Sequence, residues 1–384
     1  MFKKYKNQDL DMTFWWKKNP KTPIDNVKLL IEQLSKINTA STIDNKKKLQ
    51  GECWNYLIAI KLYTIGEADP KPTPELIDEM FKEMHNLDLF YELLEHFTDL
   101  EFEARKEIVL LFAICLNYSK DNKFVTVDYL VSKPKSLNYM LRLMESSLQK
   151  RISPQDLFLL VGNMVLECVK YEQLNRIILK DTQLWRFFQF ATINNFEIST
   201  QSLQILNSAL TEHPKLVSQE FFSTENNITK FILSINKLIA HGSYVTKRQS
   251  TKLLSSLILR KANNQLMQYY INSSDNLKLI MTVMTDKSKN LQLEAFHVFK
   301  VMVANPRKTK PVFDILTKNR DKLLIYFEKF GADNMDQTFQ DERNFIIQQI
   351  DGLPRLVVSS TNNEGVLNPS LSIVSASSSP IQNT

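Results

Sequence analysis

From Thr22 onward the apolar residues recur three and four apart, and the spacing persists to about Leu353. Val27, Leu30, Ile31 and Leu34 open the series as one stripe of an amphipathic helix. Helix-start signals punctuate it. Thr22-Pro23-x-Asp25 sets a hydroxyl at the N-cap, proline at the first helical position and an acid at the third. Thr73-Pro74-Glu75 and Ser153-Pro154-Gln155-Asp156 repeat the device. No run alternates apolar and polar residues with period two, so the chain reads as all-α.

The helical pattern also repeats itself. Phe196-Glu-Ile-Ser-Thr-Gln201-Ser202-Leu-Gln-Ile205-Leu206 aligns with Tyr244-Val-Thr-Lys-Arg-Gln249-Ser250-Thr-Lys-Leu253-Leu254 at an offset of 48, and Glu294-Ala295-Phe-His-Val298-Phe299 continues the register 45 residues later. Upstream, Phe102 to Phe112 matches the first of these at an offset of 94, and a weaker copy between Ile152 and Met164 fills the gap. Helical repeats of about 40–47 residues mark armadillo and HEAT arrays, whose units bury their apolar stripes only by stacking. The expected fold is therefore an armadillo/HEAT-like helical repeat solenoid, a right-handed superhelix with a concave binding face. Its bounds are read as residues 22–352. Residues 1–21 form a basic, aromatic N-terminal extension containing Phe14-Trp15-Trp16-Lys17-Lys18, expected to fold back over the first helix. Residues 353–384, rich in Ser, Asn, Thr and Pro, lack the bulky residues that offset chain entropy and read as a disordered tail.

Composition narrows the function. With 384 residues and 43% hydrophobic content the chain can bury a large core, while seven glycines are few for phosphate-cradling loops. The three cysteines (Cys53, Cys115, Cys168) lie far apart in apolar helical contexts and read as buried, reduced thiols. No signal peptide is read at the start. The longest apolar run, Ile108 to Leu116, is far short of the ~20 residues that span a bilayer. A cytoplasmic protein without membrane insertion is expected.

Charge changes the picture more. Between Ser243 and Lys322 fifteen Lys and Arg stand against five acids, a local +10 in a chain of net +6. Residues 67–107 hold thirteen acids and four bases, a local −9. A basic face on packed helices reads as a docking surface, and the acidic segment reads equally as partner-orienting charge or as solvated outer helix faces.

Catalytic chemistry is not found. The chain has no glycine-rich phosphate loop, His-Glu-x-x-His, Gly-x-Ser-x-Gly, Cys-x-x-Cys or EF-hand loop. The histidines (His85, His96, His213, His241, His297) are scattered and read as structural. No catalytic residue, metal ligand or cofactor is expected, and the protein reads as a non-enzyme.

Several undegenerate stretches carry a resemblance: Tyr244-Val-Thr-Lys-Arg-Gln-Ser250, Asn276-Leu-Lys-Leu279, Asp286-Lys-Ser288, Glu294-Ala-Phe-His-Val-Phe-Lys300, Val303-Ala-Asn-Pro306 and Asp314-Ile-Leu316. With them the chain resembles the calcium-binding protein 39 family, scaffolds for Ste20-type kinases and pseudokinases. Weaker similarity extends from residue 22 to about 350. The Phe14 to Pro23 run and the Ser/Asn-rich tail look like the fungal branch, which serves polarised growth and cell separation. The resemblance implies a scaffold and allosteric activator that grips the kinase domain with its concave face. It also implies a C-terminal pocket taking the partner's Trp-x-Phe motif, with a downstream NDR-type kinase complex engaged indirectly. Matched by motif, the pocket residues are Arg248, Lys252, Met281 and Lys318, with Lys322 in the same basic run. Lys261 keeps the family's kinase-contacting charge, but Asn264 stands where the family has an aromatic, which implies a weaker or differently shaped contact. The residues themselves agree: Arg248 and Lys252 share a helix face, Leu253, Leu254, Leu257 and Ile258 point oppositely, and Met281 offers an adaptable apolar floor. A nucleic-acid-binding helical repeat, motivated by the pI near 8.9, is the alternative. It is disfavoured because no base-reading pair recurs from repeat to repeat.

Overall fold

The structure is a computed structural model and describes residues 22–149 and 154–355. The N-terminal extension, the Ser153 cap and nearly all of the Ser/Asn-rich tail lie outside these residues. The chain divides into two compact units, the first running to Val217 and the second beginning at Ser218.

The first unit holds α1 (Pro23–Ile37), α2 (Ile43–Thr64), α3 (Pro74–Asn86), α4 (Leu89–Glu95), α5 (Phe102–Asn117), β1 (Ser119–Lys120), β2 (Lys123–Phe124), α6 (Val125–Ser132), α7 (Lys135–Ser147), α8 (Pro154–Val169), α9 (Glu172–Lys180), a 3-10 turn (Thr182–Trp185), α10 (Arg186–Phe190), α11 (Phe196–Thr211) and α12 (Pro214–Leu216). The α1 start behaves as its sequence dictates. Thr22 Oγ1 accepts from the Asp25 N–H at 3.1 Å while the Asp25 carboxylate accepts from the Thr22 N–H at 3.1 Å, closing a capping box around Pro23. Val27, Leu30, Leu34 and Ile37 then bury one face, with Ile31 half-buried beside them. Thr73 Oγ1 caps α3 by accepting from the Leu76 N–H at 3.4 Å. Among the described residues the one departure from all-α is β1–β2, an antiparallel pair of two-residue strands whose turn places Asp121 and Asn122 at φ 49° and 59°. Strands this short leave no alternation to read.

The repeat is physical. α2 packs on α5, α5 on α8 and α8 on α11, so each long helix buries its stripe against the equivalent helix of its neighbour. At α8–α11 a side chain at Gly162 would collide with Gln201. The space instead admits the Gln201 amide, which donates to the Leu159 carbonyl (2.9 Å) and to Asn163 Oδ1 (3.0 Å).

The second unit holds α13 (Glu225–His241), α14 (Tyr244–Ile258), a 3-10 turn (Lys261–Asn263), α15 (Asn264–Ile271), α16 (Ser274–Met284), α17 (Lys289–Ala304), α18 (Lys310–Lys318), α19 (Arg320–Lys329) and α20 (Gln337–Asp351). Helices start at Phe196, Tyr244 and Lys289, reproducing the offsets of 48 and 45, and α20 begins a further 48 residues on. α14 packs on α17 and α17 on α20. Phe296 of α17 meets Phe327, Phe330 and Phe339, with ring centroids 5.3–5.9 Å apart. Leu253, Leu254, Leu257 and Ile258 are all buried. Both units are thus stacked helical repeats, and the all-α repeat fold is established.

Candidate functional site

Within the second unit α16 and α19 enclose a cavity of about 230 Å³ lined by Met281, Met284, Thr285, Asn319, Lys322, Leu323 and Tyr326. Ser273 caps α16, accepting from the Asn276 N–H at 3.4 Å, and so fixes the phase that sets Met281 over the cavity. Lys322, Leu323 and Tyr326 fall on adjoining faces of α19. The Tyr326 hydroxyl donates to the Met284 carbonyl at 2.8 Å and ties α19 to the end of α16. Burial pushes that phenol up to about 12, so it stays a neutral donor. Two thioethers, a leucine and a phenol make an apolar, adaptable floor, and the exposed Lys322 supplies a cation at its edge. Such a hollow suits one aromatic side chain with a nearby anion.

Arg248 and Lys252 lie one turn apart on α14. Arg248 is half-buried, and its Nε is fully buried without a hydrogen-bond partner. Lys252 is exposed. Glu294 of α17, the helix packed on α14, is half-buried; burial raises its carboxyl above the ordinary range while the charges of Lys252 and Arg248 pull it back.

The expected site residues therefore fall into distinct groups. Met281 and Lys322 line one cavity, whereas Arg248 and Lys252 lie together on α14 and do not line it. Lys318, exposed in the last turn of α18, precedes the cavity residue Asn319 without lining the cavity itself. Lys261 in the 3-10 turn and Asn264 at the start of α15 are exposed and do not line it either. Sequence reasoning missed Met284, Thr285, Asn319, Leu323, Tyr326 and Glu294. The spacing of Lys322 and Tyr326 on one predicted helix was a usable signal for two elements of the cavity; the neighbour that helix meets was not.

The basic stretch is less free than its count suggests. Lys278 pairs with Asp275 (2.9 Å), Lys289 with Asp333 (3.0 Å) and Lys300 with Glu342 (2.6 Å). Arg320, only 5% exposed, binds Asp321 and the carboxylate and carbonyl of Asp351. By contrast, Lys252, Lys261, Lys318 and Lys322 are exposed and make no ion pair among the described residues.

The remaining reactive residues are accounted for locally. Burial raises the thiol pKa of Cys53 to about 12 and pushes Cys115 and Cys168 up as well, so all three are poor nucleophiles. His85 stacks on Tyr129 (4.5 Å) and lies 3.2 Å from Thr126 Oγ1, while His213 bonds the Val169 carbonyl at 2.8 Å. Among the described residues no group of three or more His, Cys, Asp or Glu is spaced to hold a metal ion, and no helix is long and apolar enough to cross a membrane.

Comparison with known proteins extends the resemblance carried by residues 243–322 to almost the whole chain. A family model described as Mo25-like matches residues 14–354. The chain is 68% identical to Protein HYM1 of Saccharomyces cerevisiae over 99% of this chain and 95% of that protein. It is 33% identical to the Mo25-like protein of Schizosaccharomyces pombe, over 89% of this chain and 100% of that protein. To the human Calcium-binding protein 39-like it is 34% identical, over 88% and 97% of the two chains.

Proposed function

The chain belongs to the Mo25-like family, in its fungal branch, and we propose that it is a non-enzymatic scaffold that binds and activates a Ste20-type protein kinase or pseudokinase. One observation carries the reading: a methionine-floored cavity the size of a single aromatic side chain, with Lys322 at its edge. A partner ending in Trp-x-Phe would place a ring over Met281, Met284 and Tyr326 and its terminal carboxylate toward Lys322 and Lys318. A buried aromatic anchor of this kind is worth about 2–4 kcal/mol on truncation. Arg248 and Lys252 add a second cationic contact for acidic residues of the same segment. Lys261 and Asn264 belong to a separate contact with the kinase domain.

In this reading the protein holds a kinase in its active arrangement within the cytoplasm, concentrated at sites of polarised growth or division, and an NDR-type kinase complex responds downstream. The nucleic-acid alternative loses ground because four of the fifteen cations counted in its favour are tied to acids of the same unit.

The test is fluorescence anisotropy with the full chain and a labelled peptide ending in Trp-x-Phe. Binding at micromolar concentration or tighter, abolished in the Met281→Ala/Arg248→Ala double variant, supports the reading. Unchanged binding by that variant overturns the pocket assignment.

A further inference from the structure

Resting on the reading of the cavity between α16 and α19 as the seat of an aromatic anchor, we propose that Asn319 is its specificity-determining residue. The Asn319 side-chain oxygen accepts a hydrogen bond from the anchor, so the cavity selects a ring that carries an N–H.

Three neutral side chains in the cavity lining carry strong donors, and each is engaged by a backbone carbonyl. The Thr285 hydroxyl donates to the Thr282 carbonyl at 2.8 Å, and the Tyr326 hydroxyl donates to the Met284 carbonyl at 2.8 Å. Asn319 Nδ2 donates to the Ile315 carbonyl, also at 2.8 Å. What these groups offer a ligand is oxygen. Asn319 is the best placed of them, because Thr285 is exposed and the Asn319 amide oxygen sits on a half-buried residue.

The orientation of that amide is fixed by chemistry. A carbonyl can face only the NH2 half of an asparagine, so the bond to Ile315 sets which way the group lies. The Asn319 backbone N–H meets the same carbonyl at 3.1 Å and holds the residue against the end of α18. Asn319 is also the N-cap of α19, a position from which asparagine ordinarily turns its oxygen onto the first-turn N–H groups. Asn195 does this for α11, accepting from the Ile198 N–H at 3.0 Å. Asn319 makes no such capping bond. Its nitrogen serves the preceding helix, and its oxygen is kept from the following one.

The consequence is selectivity by hydrogen bonding rather than by shape. The thioethers of Met281 and Met284 adapt to any ring of suitable size. A purely apolar ring would strip water from the Asn319 oxygen and leave it unpaired, which is costly. An indole brings one N–H and no acceptor of its own. Sites that hydrogen-bond their ligand reject an analogue lacking the donor far more strongly than apolar pockets reject a change of size. Of the two rings in Trp-x-Phe, the cavity therefore takes the tryptophan.

The experiment is fluorescence anisotropy with the full chain and two labelled dodecapeptides that differ in one atom group. One ends in Trp-Asp-Phe; the other carries 3-benzothienylalanine in place of the Trp, with sulfur where the indole has its N–H. Wild type should bind the Trp peptide about three- to tenfold tighter, the scale of one neutral hydrogen bond. In Asn319→Leu that ratio should fall to about one, whereas Thr285→Val should keep it. The ratio within one variant cancels any uniform loss from a loosened α18–α19 junction, and the wild-type comparison needs no variant. Equal binding of the two peptides by wild type overturns the inference while leaving the pocket reading in place. Binding of neither overturns the pocket reading and the inference with it. A preference that survives Asn319→Leu but disappears in Thr285→Val refutes the assignment to Asn319.

Discussion

Residues 67–107 of the first unit and residues 243–322 of the second carry opposite net charge of similar size, and they use it differently. In the acidic segment several carboxylates join elements. Asp78 of α3 accepts from the Tyr118 hydroxyl (3.0 Å) and from Lys120, reaching the β1–β2 hairpin. Asp88 accepts from the Tyr129 hydroxyl (2.6 Å) and Lys133 (3.2 Å), reaching α6. Glu107 of α5 holds Lys61 of α2 at 2.5 Å, and Glu83 of α3 meets Lys28 of α1 at 3.5 Å. In the basic stretch several cations are tied in the same way, but Lys252, Lys261, Lys318 and Lys322 are exposed and make no ion pair among the described residues. Net charge read along the chain is blind to this distinction. What separates a structural charge from a docking charge is whether its partner lies within the unit.

The sharpest break in the pattern is Arg320, a cation counted with the docking stretch that behaves like the acids of the first unit. Its guanidinium is almost wholly buried. Nη2 donates to the Asp351 carbonyl at 2.9 Å and to the Asp351 carboxylate, and Nη1 donates to Asp321 at 2.6 Å. It thereby satisfies the C-terminal end of α20, where orphan carbonyls otherwise need partners. Arg320→Ala should cost about 3 kcal/mol in chemical denaturation of the second unit, since it strands these groups and leaves a void. Arg320→Lys should recover only a minor part, because an ammonium lacks the guanidinium's planar fork.

In the first unit the strongest test is acid. Burial, and after it the charge of Lys133, holds the His85 imidazole down at about 4, against 6.5 for an exposed histidine. The unfolded chain therefore takes up the proton first as pH falls, and stability declines between about 6.5 and 4. The loss should be on the order of 3 kcal/mol. His85→Gln should flatten this part of the pH profile, and the wild-type ring should titrate near 4 by NMR.

How much of this was legible depends on the range of the interaction. The α1 capping box spans three residues, so Thr22-Pro23-x-Asp25 disclosed it completely. The repeat was legible because Phe196, Tyr244 and Lys289 open equivalent helices, and local periodicity survives alignment. The tertiary partners were not. Nothing near Asp88 in the chain announces Tyr129, forty-one residues on, and nothing near Met281 announces Tyr326. Arg320 looked like its exposed neighbours Lys318 and Lys322 because three cations within five residues carry no mark of which one turns inward.

A smaller effect tests the acids as connectors. Asp88 sits at φ 50°, a conformation asparagine tolerates well, so Asp88→Asn removes the charge without straining the backbone. The Tyr129 hydroxyl keeps an acceptor and the partly exposed Lys133 loses its ion. The expected cost is about 1 kcal/mol, and it should shrink in 1 M salt, where charge pairs near the surface are screened.

The smallest effect on stability should come where the effect on binding is large. Replacing Lys252, Lys318 and Lys322 together by Gln removes three charges that form no ion pair among the described residues, and each long side chain is exposed. Stability should change by less than about 0.5 kcal/mol, the range of surface substitutions remote from special features. Affinity for a labelled peptide ending in Trp-Asp-Phe should fall by at least about tenfold, and its dependence on salt should weaken as attracting charges are lost. A melting curve and a binding isotherm on the same protein sample separate the two. If the triple variant unfolds early, these lysines are glue like the carboxylates of residues 67–107, and the contrast between the two regions collapses. If it melts as wild type and still binds as wild type, the cations are solvated surface, and recognition rests on the cavity between α16 and α19 alone.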